Sequence, residues 1–371
     1  MKKLKVLETI RQGLVGGGET HVYDLSTHLN RNLFEPVVLS FTEGPMVENL
    51  RKVGIKTYVI HSKIPFDPRV TSRVRELVKA ENIELIHAHG SRAASNVVSV
   101  ARALEIPIIY TVHGWSFNDQ QSRIMKFLRI KAEAYLIRRV DEVICVSASN
   151  EATGKEVIKA FNCVVINNGI SLNKFTSVAN RQELRNQLGF KEEEVWVGFI
   201  ARLTFQKDPI NLLEAFRKAV EVNKSLRLLM VGEGDLEEEV ATYIQENDLS
   251  EVVLRMPFQA NVPELLAAID IYSLVSHWEG LPIGLLEAMA SSKAIIASNV
   301  DGTKEVIVSN KNGLLIKNGS SQELCTSILS LASDRNKRTR FGSAAFDSVA
   351  QNFSLKVMVE NTEKVYKRRL S

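Results

Sequence analysis

Ile271-Tyr272-Ser273-Leu274-Val275-Ser276-His277-Trp278-Glu279-Gly280-Leu281-Pro282-Ile283-Gly284-Leu285-Leu286-Glu287-Ala288-Met289-Ala290 reads as a strand, a loop and the start of a helix. The apolar run at 271–274 is short enough for a strand buried in a parallel sheet. Pro282 suits the first helical position, where its missing N–H costs nothing. The backbone donors of Ile283, Gly284 and Leu285 are then expected to be free and, with the positive end of the helix dipole, to form an anion site. Glu287 leans back toward that helix start and Glu279 sits in the loop before it, so both carboxylates can face one ligand. Such a ligand carries hydroxyls and phosphates together. Glutamates at a helix start also serve capping and the dipole alone, so the surrounding sequence has to decide.

The same strand-then-helix unit recurs from end to end. Strands are expected at 6–10, 34–40, 56–60, 85–88, 108–112, 142–146 and 163–166, and again at 195–200, 226–231, 252–256, 271–274, 294–297 and 313–316, with helix-period segments between them. A chain of 371 residues also exceeds what one core usually serves. The expected fold is α/β, two doubly wound Rossmann-like domains facing an interdomain cleft. The join falls near Asn167-Asn168-Gly169-Ile170-Ser171, a turn-rich segment ahead of the charged stretch 180–194. The expected domains are 1–168, 169–350 and a C-terminal helix within 351–371 that packs back on the first domain.

With 45% hydrophobic and 24% charged residues the composition is that of an ordinary globular protein, and the net charge of +4, without a basic tract, points away from nucleic acid. Cys145, Cys163 and Cys325 are far apart and lack C-x-x-C spacing, which argues against a disulfide framework or zinc cage and fits a reducing cytoplasm. Met1-Lys2-Lys3-Leu4-Lys5 leads directly into a strand-like segment, so no signal peptide is expected. No apolar run approaches the ~20 residues of a membrane span.

Several strand ends carry chemistry. Gly16-Gly17-Gly18-Glu19-Thr20 follows the first strand and lets the backbone approach a ligand closely, although glycines at such a turn also serve conformation alone. His113-Gly114 ends the strand 108–112, where a doubly wound sheet presents ligand-binding groups. His87 and His89 look like a metal pair without an evident third ligand, and read as structural or acceptor-side residues. Arg202 and Lys207 follow the strand 195–200, ahead of a helix capped by Asp208 with Pro209 at its first position. Two cations there suit a pyrophosphate leaving group. Gly232 and Gly234 form a turn after 226–231, and Met256, in Arg255-Met256-Pro257-Phe258, ends the next strand where a base pocket would lie.

Together these motifs resemble glycosyltransferase family 4. The run Glu279 to Ala290 resembles its Glu, seven residues, Glu signature; Gly16 to Glu19 its G-G-x-E loop; Arg202 to Lys207 its R-L-x-x-x-K segment; Val231 to Gly234 its V-G-x-G turn; and His113-Gly114 its first-domain histidine. The resemblance covers nearly the whole chain. It implies the GT-B architecture and a retaining transfer of sugar from a nucleoside diphosphate (NDP) donor to an acceptor hydroxyl, in cell-surface polysaccharide or glycolipid synthesis. It further implies that Gly16 and Gly17 face the donor diphosphate and acceptor, and that His113 contacts the donor sugar and supports developing charge. Arg202 and Lys207 would hold the phosphates with the amides of Ile283, Gly284 and Leu285, Leu281 and Pro282 would belong to the donor-binding residues, Glu279 would meet the donor sugar, Glu287 the ribose, and Gly232, Gly234 and Met256 the nucleotide. No metal and no cofactor beyond the donor are expected, and no acidic D-x-D motif is present. The acceptor is expected to be a sugar or a lipid-linked saccharide. An NDP-sugar epimerase of the same architecture and a catalytically silent sugar-nucleotide-binding partner remain alternatives.

Departures from the family pattern are Ser292 and Ala294 in place of glycine and proline, Ser171 where an Asp often stands, and Asp301 in place of the first glycine of a pair. If position 292 needs left-handed backbone, serine costs roughly 1 kcal/mol there. The segment 120–140 carries Arg123, Lys126, Arg129, Lys131, Arg138 and Arg139 among apolar residues. It reads first as a core-facing helix with a solvated basic face, and alternatively as an interfacial helix on the inner face of an anionic membrane.

Overall fold

A computed structural model describes residues 3–14, 16–118, 121–159, 161–176 and 181–370. Met1, Lys2, Gln120, Asn180 and Ser371, at the ends of segments discussed above, lie outside the described residues. The chain divides into two compact units, Met1–Gly169 with Leu355–Ser371, and Ile170–Ser354. It therefore crosses between them twice.

The first unit is built on a seven-stranded parallel sheet: β1 Leu4–Ile10, β2 Phe34–Ser40, β3 Lys56–Val59, β4 Leu85–His89, β5 Ile108–Val112, β6 Glu142–Cys145 and β7 Val164–Val165, in the order β3-β2-β1-β4-β5-β6-β7. The second has six parallel strands: β8 Val195–Ile200, β9 Leu226–Val231, β10 Val253–Met256, β11 Ile271–Leu274, β12 Ala294–Ser298 and β13 Leu314–Ile316, in the order β10-β9-β8-β11-β12-β13. Helices cover both faces, so the strands are near-continuous apolar runs. β5 and β12, for example, are buried at every position.

In each sheet the order reverses once, at β1 and β4 in the first unit and at β8 and β11 in the second. Ligands of open α/β sheets bind outside the carboxyl ends of the strands at such a switch point. Both cores are built from the same materials. Leu7, Val37, Ile86 and Tyr110 pack on one face of the first sheet. On its other face Val6, Phe34, Leu85 and Ile109 meet Met358, Val359, Val365 and Tyr366 of the helix Leu355–Leu370. In the second unit Phe199, Phe216, Ile296 and Phe341 are fully buried, each contributing roughly 1.5–3 kcal/mol.

Ser292, after the helix Ile283–Ala290, has φ 54. The left-handed position expected from the family pattern is real, and serine occupies it.

Candidate active site

In the second unit the loops after β8 and β11 are laced together. The Gln206 side chain donates to the Trp278 carbonyl at 2.8 Å, and the His277 N–H donates to the Gln206 carbonyl at 2.8 Å. This strap carries Lys207 to Glu279, where ammonium and carboxylate form an ion pair. The Ser276 hydroxyl donates to the same Glu279 oxygen at 2.6 Å. Both partners are largely buried, Glu279 more than Lys207, so the pair acts where water screens it little.

Glu287 lies one turn into the helix Ile283–Ala290, half-buried. Tyr272 on β11 senses both acids: its phenol is pushed up first by burial and then by the charges of Glu287 and Glu279. A Cβ on Gly284 would stand 2.9 Å from the Tyr272 hydroxyl and 3.9 Å from the Ile200 carbonyl, which places the helix start beside the Tyr272 phenol and the end of β8.

Two details differ from expectation. Pro282 is the N-cap, with extended backbone (ψ 116), and the helix begins at Ile283. The Pro282 carbonyl then accepts from the Leu285 N–H at 3.1 Å, so Leu285 is not among the free donors. Of the three amides expected to meet an anion, those of Ile283 and Gly284 remain as candidates.

Gly232 and Gly234 have a steric reason as well. A Cβ on Gly232 would lie 2.1 Å from the Ala201 carbonyl oxygen, and one on Gly234 2.3 Å from that of Leu203. Gly232 sits at φ 139, and its N–H donates to the Met256 carbonyl at 3.1 Å. The turn thus holds the backbone around exposed Arg202 against the end of β10, and the Met256 carbonyl is already engaged within the protein. Gly302, the glycine kept beside Asp301, is equally constrained: a Cβ there would fall 1.7 Å from the Gly280 carbonyl oxygen.

In the first unit Gly16 is the N-cap of the helix Gly17–His28, and its carbonyl accepts from the Thr20 N–H at 2.9 Å. A Cβ on Gly18 would lie 3.7 Å from the His113 ring, so the glycine turn and the histidine after β5 are neighbours. His113 also belongs to a histidine cluster. One nitrogen each of His21, His89 and His113 lie within 4.8 Å of one another, as do ligand atoms of Glu8, His87 and His89. The reading that His87 and His89 lack a third partner is corrected here: the further groups come from β1 and the first helix, distant in sequence. Hydrogen bonds satisfy the cluster internally. His89 Nδ1 is 3.1 Å from His113 Nε2, His89 Nε2 is 2.9 Å from Glu8, and His21 Nδ1 is 3.0 Å from Asn168 Oδ1. Burial, then the charge of His89, holds His21 down to about 3; burial, then His87, holds His89 down to about 4.

Each unit therefore gathers its own chemistry at its switch point. Residues 15–174 match the family model described as Glycosyltransferase Family 4, and residues 180–348 match that of Glycosyl transferases group 1. The chain belongs to glycosyltransferase family 4.

The Escherichia coli UDP-Gal:alpha-D-GlcNAc-diphosphoundecaprenol alpha-1,3-galactosyltransferase is 24% identical to this glycosyltransferase over 90% of the chain and 89% of its own length. The structure of Anabaena HepE in complex with UDP-glucose is similar with a TM-score of 0.88 at 23% identity, covering 98% of this chain and 100% of that one. WaaG, a glycosyltransferase involved in lipopolysaccharide biosynthesis, gives 0.79 at 14% identity over 97% and 99%. At these identities the structures establish the fold, GT-B.

The glycosyltransferase holds residues that motif reading missed. Ser276 and Tyr272 frame the glutamates, while His21 packs against His113, and Glu8 and Tyr366 hold the neighbouring His89 and His87. One signal was available: Glu8 is a carboxylate inside an apolar strand, and it pairs in register with His87.

The helix Arg123–Ile137 corrects a further expectation. Of its residues only Glu133, Ala134 and Leu136 are buried, and Ile124, Phe127 and Leu128 are 75%, 58% and 55% exposed. Its first half is not core-facing. No described helix of the glycosyltransferase is long and apolar enough to cross a membrane.

Proposed function

We propose that this glycosyltransferase transfers a hexose-type sugar from an NDP-sugar to a hydroxyl of a sugar or lipid-linked acceptor, with retention of configuration, in building a cell-surface polysaccharide or glycolipid. The observation that carries this reading is the Lys207–Glu279 pair, whose acid stands in the loop just ahead of the helix that starts at Ile283. A buried ammonium and a carboxylate that hold each other can part to meet a phosphate and a sugar hydroxyl, and such groups act most strongly where charge develops. Arg202 and Lys207 then neutralise the departing diphosphate without a bound metal. Glu287 reads the ribose, Glu279 the donor sugar, and His113 supports the reacting sugar. Retention follows from front-face displacement, in which the leaving phosphate takes the acceptor proton.

The helix Arg123–Ile137 supports a place of work. Exposed Ile124, Met125, Phe127 and Leu128 stand among Arg123, Lys126, Arg129 and Lys131, the composition that settles on an anionic bilayer surface. The proposed location is the cytoplasmic face of the membrane, where a lipid-linked acceptor is presented.

The test is incubation of purified protein with a panel of NDP-sugars, with and without saccharide or lipid-linked acceptors. Nucleotide release that depends on acceptor, with an α-linked product from an α-linked donor, supports the reading. Donor isomerisation without acceptor would replace it with an epimerase, and binding without turnover with a silent partner.

A further inference from the structure

Glu8 stands in the middle of β1 with no exposed surface. Its oxygens meet two donors and one further imidazole. Oε1 accepts from the Tyr366 hydroxyl at 2.7 Å, Oε2 from His89 Nε2 at 2.9 Å, and His87 Nδ1 is 3.2 Å from Oε2. An ionised carboxylate only accepts, so His89 carries its proton on Nε2 and leaves Nδ1 bare. That bare nitrogen lies 3.1 Å from His113 Nε2, which therefore donates to it. Tyr366 has one hydroxyl proton, directed at Glu8. His87 accordingly donates from Nδ1 to the phenol oxygen at 2.6 Å, and its Nε2 accepts from the Thr111 hydroxyl at 2.7 Å. Each proton of the network has one consistent place.

The charges are equally defined. Burial would raise Glu8, but the imidazoles of His87 and His89 outweigh it and hold the carboxyl well below its usual range. Burial, then His21 and His89, keeps His113 well below the ordinary histidine value. At neutral pH the chain Glu8–His89–His113 is a carboxylate followed by two neutral imidazoles. Among the described residues the partners of Glu8 are two imidazoles and a phenol, so its charge is dispersed by hydrogen bonds, with no lysine or arginine against it. In a buried setting such a charge acts over several ångströms.

We infer that Glu8 and His89 are positioning residues for His113: the chain fixes the ring and its proton, and the Glu8 carboxylate behind it stabilises positive charge that builds on the donor sugar as the glycosidic bond breaks. This rests on the reading above of His113 as a donor-sugar contact. The logic is that of a carboxylate behind a histidine, which orients the ring and offsets charge without itself taking the proton.

Glu8→Gln keeps an acceptor oxygen and the shape of the side chain while removing the charge. With a turned-over donor, kcat should fall roughly 10- to 100-fold while KM for the donor changes little. His89→Asn leaves an acceptor for His113 but cuts the link to Glu8, and should produce a similar loss. Because the two act through one chain, the double variant should be little worse than either single variant. Wild-type kcat in Glu8→Gln, or losses that multiply in the double variant, would overturn the inference. Should Glu8→Gln fail to fold, nitrogen-15 spectra of the histidines in the wild-type protein decide. Neutral His89 and His113, both protonated on Nε2, support the chain, and an Nδ1–H or imidazolium form at either refutes it. Those spectra do not depend on turnover, so a protein that transfers no sugar refutes the functional reading while the histidine signals judge the chain separately.

Discussion

Lys207 and Glu279 neutralise each other across two loops, so replacing either leaves a mostly buried charge without its partner. Glu279→Ala and Lys207→Ala are each expected to lower kcat by about 100-fold or more in a transfer assay. Near-normal turnover in both would remove them from the chemistry. Acidic pH tests a second group of residues. His21 and His89 are held at about 3 and about 4 in the folded protein, against 6.5 ordinarily. Between those values the unfolded chain binds more protons, so the stabilisation is complete above about pH 6.5 and is lost as pH falls toward 4. Each histidine then costs about 1.4 kcal/mol per pH unit. A melting temperature that holds constant from pH 7 to 5 would show that these histidines are not buried neutral. Ser292→Gly relieves the left-handed position and should stabilise the second unit by about 1 kcal/mol, read from a denaturant midpoint. Arg202, Lys207, Glu279 and Glu287 were legible because each stands in a short motif. Glu8, His21 and Tyr366 were not: Tyr366 meets Glu8 across a sequence separation of 358, and no local pattern encodes that.

At the level of elements, the strands were read closely. β2, β5, β8, β9 and β11 have the expected bounds, since buried parallel strands are short apolar runs punctuated by turns. The shortest, β7, shrinks to Val164–Val165 because it sits at the sheet edge with one neighbour. Helix starts were less legible. Whether Pro282 caps the helix or begins it depends on a single ψ angle that composition does not set. For the basic helix the core-facing reading holds in the second half, where Ala134 and Leu136 are buried, and not in the first, because composition alone does not divide a helix along its length. Vesicles of phosphatidylglycerol should co-sediment with the protein, and neutralising Arg123, Lys126 and Arg129 together should release it, as should high salt. Failure of the parent protein to bind such vesicles would end that proposal.

Across the whole molecule, the two family models meet near the point where the chain passes from the first unit to the second. Saturating the enzyme with its donor, at a hundred times the dissociation constant, should add about 2.7 kcal/mol of stability. Among NDP-sugars the one that raises the melting temperature most identifies the donor, and a flat panel would contradict sugar-nucleotide binding. The presence of two strand-and-helix units was legible in the alternation of strands and helices. The dependence of the first unit on the last helix was visible only as an expectation of packing, because Met358, Val359, Val365 and Tyr366 show an apolar stripe but not its destination.

That helix carries a consequence for how the protein is made. On the ribosome, the first sheet emerges well before the residues that cover one of its faces, and all of Ile170–Ser354 is synthesised in between. During that interval Val6, Phe34 and Ile109 lack part of their cover and the Glu8 carboxylate lacks its phenol. The second unit has its whole core within one continuous segment and can mature first. The half that is translated earliest is thus completed last, and a nascent chain stalled before Leu355 would expose the sticky face of that sheet to chaperones.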